Sequence, residues 1–235
     1  MKKDISKSIP DDYINVIYDE KNKPLTEYPY KLTNYLFNKY EITKGAKLLD
    51  VGCGRGEFLN GFIDMGVSGY GVDQTDAAKS YCPDAEISQA DIENYGLPYL
   101  DDTFDVIFSK SVVEHFHNPD ILIKEIFRCL KPGGLVITMA PSWEYNHRIY
   151  FEDYTHRTPF MITSLNDILR IHGFKNINVI FFKQLPILWT KLSLVMSPLS
   201  YLTRIISPRF LSKHSKWVRF SKEIMLLSSA NKPNS

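Results

Sequence analysis

The stretch KLLDVGCGRGEFL, residues 47–59, decides the fold class of this 235-residue chain. A short apolar run ends at Asp50, and glycines follow at every second position, at Gly52, Gly54 and Gly56. Glycine has no Cβ atom, so the backbone N–H groups of such a loop can approach a ligand closely. The stretch therefore predicts a buried strand, a ligand-binding loop at its carboxyl end and a following helix.

Strands and helices are predicted to alternate along the rest of the chain. The predicted strands are 47–51, 68–73, 85–91, 104–109, 135–140, 177–182 and 223–230. The predicted helices are 27–41, 56–64, 76–81, 118–134 and 164–174. This alternation predicts an α/β fold with a Rossmann-like, doubly wound and mostly parallel sheet of seven strands. Ligands bind beyond the carboxyl ends of such strands, where the glycine loop stands.

Residues 184–220 interrupt this pattern. They have helical apolar spacing, broken at Pro186, Pro198 and Pro208, and they are too long for an unstructured connection. Basic residues and prolines interrupt every window of about 20 residues, so no transmembrane span is predicted. The predicted division is an N-terminal arm (1–26), a core domain (27–183 and 221–231) and a helical lid inserted between the last two strands (184–220).

Charge is distributed unevenly along the chain. Residues 1–167 hold 17 Lys or Arg against 26 Asp or Glu, whereas residues 168–235 hold 11 against one. Two interpretations stay open: the basic part binds an anionic partner, such as a phosphorylated substrate or a membrane surface, or it neutralises the acidic part internally. The three cysteines are scattered and the N-terminus has no apolar leader segment, which favours a cytoplasmic protein.

The spacing of the glycines limits the choice of nucleotide. A loop that binds a dinucleotide pyrophosphate has the pattern G-x-G-x-x-G, but Glu57 stands where its third glycine belongs. A carboxylate there repels a phosphate and opposes the attraction of the helix dipole. The loop therefore favours a nucleoside ligand without phosphate, which argues against an NAD-dependent oxidoreductase.

Several motifs in order carry a family resemblance. DVGCGRG is followed by Asp73 at the end of the second strand, then by ADIENYGLPYLDDTFDVIFSKSVVEHF (90–116) and LKPGGLVITMAPS (130–142). Together they resemble the class I S-adenosylmethionine-dependent methyltransferases, over about residues 45–183 and the final strand. The resemblance implies an enzyme that takes S-adenosyl-L-methionine as its cofactor.

The resemblance also implies roles for particular residues. Asp50 and the loop would line the methionine end, Asp73 would accept hydrogen bonds from both ribose hydroxyls, and Asp91 with Ile92 would read the adenine. Ser109 would present its backbone carbonyl to the amino group of the cofactor. The implied cofactor-binding residues are Asp50, Gly52, Cys53, Gly54, Gly56, Asp73, Gln74, Asp91, Ile92 and Ser109.

Two segments offer a general base for an acceptor hydroxyl. VVEHFHNPD (112–120) contains His115, in a Glu-His pair that resembles quinone-biosynthesis methyltransferases. DYTHRTPF resembles a segment of bacterial surface-polysaccharide and lipid-linked sugar methyltransferases, and it contains His156, which Asp153 would orient. His156 is the first choice for the base and His115 the second. A structural role for these residues is the alternative.

The acceptor is predicted from the same region. Candidate substrate-binding residues, which offer aromatic rings or a guanidinium, are Trp143, Tyr145, Arg148, Tyr154 and Arg157. The leading hypothesis is a sugar or glycan hydroxyl; N-methylation of a phosphorylated amine and quinone-type O-methylation are the alternatives. The acidic and histidine residues lack metal-ligand spacing, so no metal site is expected. The nucleic-acid methyltransferase signature after the fourth strand is absent. The lid is expected to cover an anionic acceptor, and its contact with anionic lipid is a further hypothesis.

Overall fold

A computed structural model describes residues 24–234, so the predicted arm lies almost entirely outside the described residues. The strands are β1 (Lys47–Val51), β2 (Ser68–Asp73), β3 (Glu86–Gln89), β4 (Phe104–Lys110), β5 (Leu130–Pro141), β6 (Lys175–Lys183) and β7 (Ile224–Asn231). The α-helices are α1 (Tyr28–Lys39), α2 (Glu57–Ile63), α3 (Ala78–Tyr81), α4 (Ile92–Tyr95), α5 (Pro119–Cys129), α6 (Trp143–Asn146), α7 (Ile162–Ile171), α8 (Ser193–Ile206) and α9 (Lys216–Lys222).

The strands form one seven-stranded sheet in the order β3-β2-β1-β4-β5-β7-β6. Strands β1 to β5 pair in parallel, and β7 runs antiparallel to both β5 and β6. This confirms the predicted Rossmann-like, mostly parallel sheet. The chain leaves β1 toward β2 on one side and β4 lies on the other, so the loops after β1 and β4 open a crevice at the carboxyl edge.

The core consists of two apolar layers, one on each face of the sheet. Leu36 of α1 and Phe62 of α2 pack with Met139 on one face, and all three are buried. On the other face, Leu122 of α5 and Leu165 of α7 belong to a second buried cluster. Because both faces are covered, the central strands are continuous apolar runs rather than alternating ones.

The predicted helix over 118–134 is too long. Asn118 caps α5 by accepting a hydrogen bond from the backbone of Asp120, but the helix ends at Cys129. The residues from Leu130 onward already belong to β5, which reaches back through the Pro-Gly-Gly turn. Phe104 pairs with Leu130 across this irregularity, so sheet pairing replaces the last predicted turn of helix.

The insertion between β6 and β7 is helical. It contains a 3₁₀ turn (Pro186–Trp189), α8, a second 3₁₀ turn (Arg209–Lys213) and α9. The predicted break at Pro198 is wrong, because this proline lies inside α8 with its ring on the exposed side. No helix among residues 24–234 is long and apolar enough to cross a membrane. The division into arm, core and lid stays a prediction.

The insertion starts and ends at the carboxyl edge of the sheet. Lys183 at the end of β6 pairs with Ile224 at the start of β7. Pro141 at the end of β5 pairs with Met225, also at the start of β7. The insertion therefore leaves and re-enters the sheet beside the loop that follows β5.

Candidate active site

In the glycine loop between β1 and α2, one glycine is tightly packed and another has free space beside its Cα atom. Gly52 and Gly54 both have positive φ angles, of 72° and 55°, which favour glycine. A Cβ atom at Gly52 would collide with the side chain of Val112, whereas at Gly54 no atom of residues 24–234 lies within 4 Å of a Cβ position. The loop thus packs against the segment after β4 at Gly52 and leaves space for a ligand at Gly54.

Asp73, at the end of β2, is hydrogen-bonded to the backbone of this loop. Its carboxylate accepts hydrogen bonds from the backbone N–H of Gly54 at 2.9 Å and of Thr75 at 3.2 Å. Burial raises the pKa of Asp73, and the backbone hydrogen bonds oppose that rise. Gln74 next to it is exposed, and its carbonyl accepts a hydrogen bond from the side chain of Gln89 at 2.8 Å.

Two buried polar groups lie at the ends of the neighbouring strands β1 and β4. Asp50 is 2% exposed and Ser109 is fully buried, while Cys53 beside them is 6% exposed. Within the described residues, Oδ2 of Asp50 and Oγ of Ser109 have no hydrogen-bond partner. Burial, and secondarily the charge of Asp73, raises the pKa of Asp50 well above its ordinary value. Both groups retain unused hydrogen-bonding capacity next to the loop.

Asp91 and Ile92 follow β3 at the start of α4. The carboxylate of Asp91 caps the helix by accepting hydrogen bonds from the backbone N–H of Asn94 at 3.2 Å and from its side-chain amide at 2.7 Å. Ile92 is buried in the core. Asp91 is thus the N-cap of α4, and contact with adenine stays a prediction for both residues.

The loops after β4 and β5 meet through backbone hydrogen bonds. The carbonyl of Glu114 accepts from the backbone N–H of Arg157 at 2.7 Å and of Thr158 at 3.1 Å. These bonds bring the rings of His115 and His156 to a centroid distance of 4.9 Å. The two candidate bases, 41 positions apart in the chain, therefore form one pair.

The hydrogen bonds of the two imidazoles define their tautomers. Nδ1 of His156 lies 2.6 Å from the carbonyl oxygen of Tyr150, which only accepts, so Nδ1 carries the proton and Nε2 keeps its lone pair. Thr155 donates its hydroxyl hydrogen to Asp153 at 2.5 Å and so accepts from Nδ1 of His115 at 2.8 Å. In the neutral state both rings present a basic Nε2 atom.

Asp153 is linked through a hydrogen-bond chain to His115, and it has no direct hydrogen bond to His156, the histidine that it was predicted to orient. Its Oδ2 atom lies 4.0 Å from Nε2 of His156, too far for a hydrogen bond. Oδ1 instead accepts two hydrogen bonds from Thr155, and that hydroxyl contacts His115. Although burial opposes it, these two bonds keep the pKa of Asp153 below its usual value. The orientation of His156 comes from the Tyr150 carbonyl instead.

Glu114 is a buried carboxyl group next to the pair. Its side chain is fully buried, and among the described residues neither carboxyl oxygen has a hydrogen-bond partner. Burial raises the pKa of Glu114 to about 8. Potential ligand atoms of Glu114, His115 and His156 lie within 4.8 Å of one another, a set that could hold a metal ion. The expectation that no such constellation exists is therefore wrong as to geometry, because the ligands come from two loops.

Comparison with known proteins assigns this architecture. A family model described as a methyltransferase domain matches residues 20–179, more than half of the chain. The chain belongs to the methyltransferase domain family. The fold and cofactor expected from the glycine loop are those of this family, whose methyl donor is S-adenosylmethionine.

An uncharacterized methyltransferase of Mycobacterium leprae is 36% identical over 103 residues, which are 42% of this chain and 38% of that protein. The chain thus spans less than half the length of this curated relative. The fold resembles an Archaeoglobus fulgidus SAM-dependent methyltransferase (TM-score 0.63, 22% identity, 92% of this chain and 98% of that one). It also resembles Haemonchus contortus phosphoethanolamine N-methyltransferase 2 in complex with S-adenosylmethionine (TM-score 0.65, 18% identity, 95% and 59%).

The residues of the methyltransferase domain fit S-adenosylmethionine. The open position at Gly54 admits a ligand against the backbone, and the buried Asp50 and Ser109 offer unpaired polar atoms beside it. Gly56 caps α2, and Glu57 after it forms an ion pair with Arg55, so the loop carries a carboxylate where a phosphate would be repelled. These features suit a nucleoside with a charged amino-acid end.

The predicted substrate-binding residues of the domain divide into packed and exposed ones. Trp143 packs edge-to-face on Tyr150, at a centroid distance of 5.4 Å. Tyr145 packs edge-to-face on Phe181 at a centroid distance of 4.8 Å, and the guanidinium of Arg204 in the insertion lies over its ring. The remaining three, Arg148, Tyr154 and Arg157, are exposed. The structure therefore brings the predicted catalytic residues together but does not gather all predicted substrate residues around them.

Sequence reasoning missed three residues that shape the site of this domain. Thr155 links Asp153 to His115, and the Tyr150 carbonyl orients His156. Glu114 was noted only as part of a motif. A buried Glu within an apolar VVEH run was a usable signal, because an unpaired carboxyl is rarely buried without a reason. The roles of Thr155 and the Tyr150 carbonyl carried no signal.

Proposed function

We propose that the chain transfers a methyl group from S-adenosylmethionine to a hydroxyl group of a sugar or glycan precursor, with His156 as the general base. The observation that supports this most is the neutral tautomer of His156, whose proton is held on Nδ1 by the Tyr150 carbonyl. A hydroxyl group must lose its proton as it attacks, and a free Nε2 atom of an imidazole can accept it. His115 stays the second candidate.

S-adenosylmethionine, when bound, supplies a methyl group on a positively charged sulfur. The protein's contribution is to position and deprotonate the acceptor. Asp73 and the Gly54 backbone would hold the nucleoside, and Asp50 with Ser109 would bind the amino-acid end. Val112 connects the glycine loop to the loop of His115, so the methyl donor and the base belong to one packed unit.

N-methylation of a small phosphorylated amine is the second candidate. The base requirement is similar, because an ammonium group must lose a proton before it can attack. Quinone-type O-methylation is the third. An acceptor screen with labelled S-adenosylmethionine distinguishes them, with nucleotide sugars, phosphoethanolamine and a catechol tested in parallel. Methylation of the sugar nucleotides is expected, and methylation of phosphoethanolamine alone would replace the leading proposal by the second candidate.

The role of His156 is tested by substitution. His156→Ala is expected to lower kcat by about 10²-fold or more, because general base catalysis contributes on that order. Affinity for S-adenosylhomocysteine, measured by calorimetry, should stay unchanged. The matched control is His147→Ala, since His147 is exposed in the same loop. Full activity of the His156 variant would transfer the base role to His115.

The same assay decides whether a metal ion takes part. A free imidazole base needs no metal, so treatment with EDTA is expected to leave kcat unchanged. Loss of activity on chelation and its return with Zn²⁺ or Mn²⁺ would contradict a free base. It would assign Glu114, His115 and His156, the group with ligand atoms within 4.8 Å, to a bound cation instead.

We propose in addition that the protein works in the cytoplasm at a membrane surface, which it contacts through α8. The apolar residues of this helix point outward: Leu194, Val195, Leu199, Tyr201, Leu202, Ile205 and Ile206 are between 48% and 86% exposed. The polar residues Ser200 and Thr203 face inward and hydrogen bond to Ser221 and Trp217 of α9. A helix packed on a protein in water normally has the opposite arrangement.

The charges of the insertion support an anionic surface. Residues 184–222 contain seven Lys or Arg and no Asp or Glu. Arg219 pairs with Glu223 at 2.8 Å, at the end of the insertion. Among the described residues, Lys191 and Lys216 have no ion pair with the acidic body, so internal neutralisation does not account for these two charges. Cations beside an exposed apolar helix favour anionic lipid headgroups.

Liposome flotation tests this contact. The wild type is expected to float with vesicles containing anionic lipid at low salt and to dissociate as salt screens the attraction. The triple variant Leu194→Ser, Leu202→Ser, Ile205→Ser should stay at the bottom. Absence of the wild type from the vesicle fraction at low salt would contradict the membrane proposal. It would not bear on the proposal of methyl transfer.

A further inference from the structure

A cleft of about 310 Å³ lies between the insertion and the edge of the sheet. Its walls come from the end of β6, from α1, from α6 and from the inner side of α8. Aromatic rings dominate the lining, among them Tyr145 and Trp189, and Lys183 and Arg204 provide its positive charges. None of its described lining residues is acidic. The cleft is therefore an apolar, cationic pocket of the size of a small headgroup.

The two cations of the cleft are close enough to affect each other. Nζ of Lys183 lies 3.2 Å from Oγ of Ser200, and the guanidinium of Arg204 lies 3.9 Å from the ring centroid of Tyr145. Burial lowers the pKa of Lys183, and the charge of Arg204 adds to this effect. Among the described residues no carboxylate forms an ion pair with Lys183 or Arg204, whereas Arg219 pairs with Glu223. Two like charges in a partly buried pocket suit a dianionic ligand.

The cleft lies against the inner side of α8, the helix that is proposed to contact the membrane. Arg204 lies on the inner side of α8, whereas Leu202 and Ile205 beside it in sequence are 51% and 63% exposed. One helix therefore has a cationic pocket beneath it and an apolar surface above it. A ligand with a phosphate and an apolar chain matches both sides at once, but free phosphate matches only the pocket.

The cleft also lies at a defined distance from the candidate base. The ends of β4 and β6 are separated by β5 and β7 in the sheet. Adjacent strands are about 5 Å apart, so about 15 Å separates the cleft from the loop of His115 along the carboxyl edge. A phosphate in the cleft and a hydroxyl at the candidate base would therefore belong to separate parts of one extended acceptor.

We propose that Lys183 and Arg204 bind the phosphate of a membrane lipid in this cleft, with the lipid chain alongside the outer face of α8. The site selects acceptors that carry a phosphate, and it places the hydroxyl to be methylated at a fixed distance from that phosphate. This inference deepens the proposed function and rests on it only for the acceptor, because phosphate binding is measurable without methyl transfer.

The experiment compares three probes by calorimetry: inorganic phosphate, the soluble lipid dioctanoyl phosphatidic acid, and vesicles of phosphatidylcholine with phosphatidic acid. The wild type should bind the soluble lipid at least about 10-fold more tightly than inorganic phosphate. The double variant Lys183→Gln, Arg204→Gln should lose at least about 10-fold of that affinity, since each removes a charge-assisted contact. Binding of S-adenosylhomocysteine serves as the control for folding.

The matched control is the double variant Lys44→Gln, Lys175→Gln, which removes the same charge from exposed positions at the opposite edge of the sheet. It should bind the soluble lipid like the wild type. Equal losses in both double variants would overturn the site in favour of diffuse attraction. Equal affinity for inorganic phosphate and lipid would overturn the lipid as the source. A protein that binds the lipid but methylates no sugar would retain this site and refute the proposed acceptor.

Discussion

Buried carboxyl groups define the site at the scale of single residues. Asp50, Asp73 and Glu114 all lie at the carboxyl edge, and burial raises the pKa of each. Keeping a carboxylate out of water destabilises the fold unless a partner compensates for it. Asp73 has two backbone N–H donors, but Glu114 and one oxygen of Asp50 have no described partner. Such groups are typical of ligand and catalytic sites.

Glu114 makes the stability of the protein depend on pH. Its pKa is about 8 in the folded state, above its ordinary value of 4.5, so between these values the folded protein binds more protons than the unfolded chain. The free energy of unfolding should therefore decrease as pH rises through this window, by at most about 1.4 kcal/mol per pH unit from this group. Glu114→Gln should remove that contribution, as measured by urea denaturation at pH 5 and pH 8.

The control for this prediction is Glu152→Gln, at an exposed position of the next loop. It should keep the pH dependence of the wild type. Parallel curves for the wild type and the Glu114 variant would mean that Glu114 is ionised in the folded protein and paired with an ion.

At the scale of elements, three loops are joined by close packing and backbone hydrogen bonds at the carboxyl edge. Gly52 of the glycine loop leaves no room for a Cβ atom beside Val112. Two positions after Val112, the Glu114 carbonyl binds the backbone of the loop that contains His156. The cofactor loop, the loop after β4 and the loop after β5 thus form one connected unit. Displacing one of them is expected to affect the others.

Substitutions of two glycines separate packing from ligand binding. Gly52→Ala should lower the free energy of unfolding by about 2 kcal/mol or more, because its Cβ meets Val112 and its φ is positive. Gly54→Ala should lower it by only about 1 kcal/mol, from backbone strain alone. The Gly54 variant should nevertheless bind S-adenosylhomocysteine at least about 10-fold more weakly, because the added methyl group occupies the ligand's space. Urea denaturation and calorimetry measure the two effects.

Gly45→Ala is the matched control for the second variant. Gly45 has a φ of 80° and no atom within 4 Å of its Cβ position, but it precedes β1 at the opposite edge of the sheet. It should lose a similar amount of stability and keep its affinity for S-adenosylhomocysteine. Unchanged affinity in the Gly54 variant would place the ligand elsewhere.

At the scale of the whole molecule, aromatic packing attaches the insertion to the core domain. Trp189 stacks on Phe182 of β6 at a centroid distance of 5.3 Å and lies 5.1 Å from Tyr35 of α1. Its indole N–H donates to the carbonyl of Lys183 at 2.9 Å. Tyr28 at the start of α1 stacks on Phe220 of α9 at 5.7 Å. Helix α1 therefore contacts both ends of the insertion.

Trp189→Ala should weaken the attachment of the insertion to the core domain without lowering the affinity for S-adenosylhomocysteine. Removing a partly buried indole is expected to destabilise the protein by about 2 kcal/mol. Limited trypsin digestion should cleave after Lys191 and Arg204 several-fold faster, while affinity for S-adenosylhomocysteine stays the same. Tyr201→Ala, on the outer face of α8, is the control and should be digested like the wild type. Equal digestion of both variants would show that the Trp189 contacts do not hold the insertion.

Much of the fold and part of the site could be predicted from sequence. The seven strands and most of the longer helices lie close to their predicted positions, because apolar periodicity and glycine chemistry act within short windows of chain. The cofactor loop was recognisable for the same reason. The helix at 118–134 was predicted too long, since pairing of Leu130 with Phe104 depends on a strand outside the window. Asp153 was assigned to His156 because Thr155, its actual link to His115, has no pattern of its own.

The sequence by itself determined the parallel sheet, the glycine loop without a pyrophosphate pattern and the uneven distribution of charge. Only the tertiary structure decided that Glu114, His115 and His156 meet, which nitrogen of each imidazole keeps its lone pair, and which side of α8 faces water. The apolar spacing of α8 gives the helix an apolar face but does not state what that face packs against. Contacts between distant segments depend on the order in which the strands pair in the sheet, and no local stretch of sequence encodes that order.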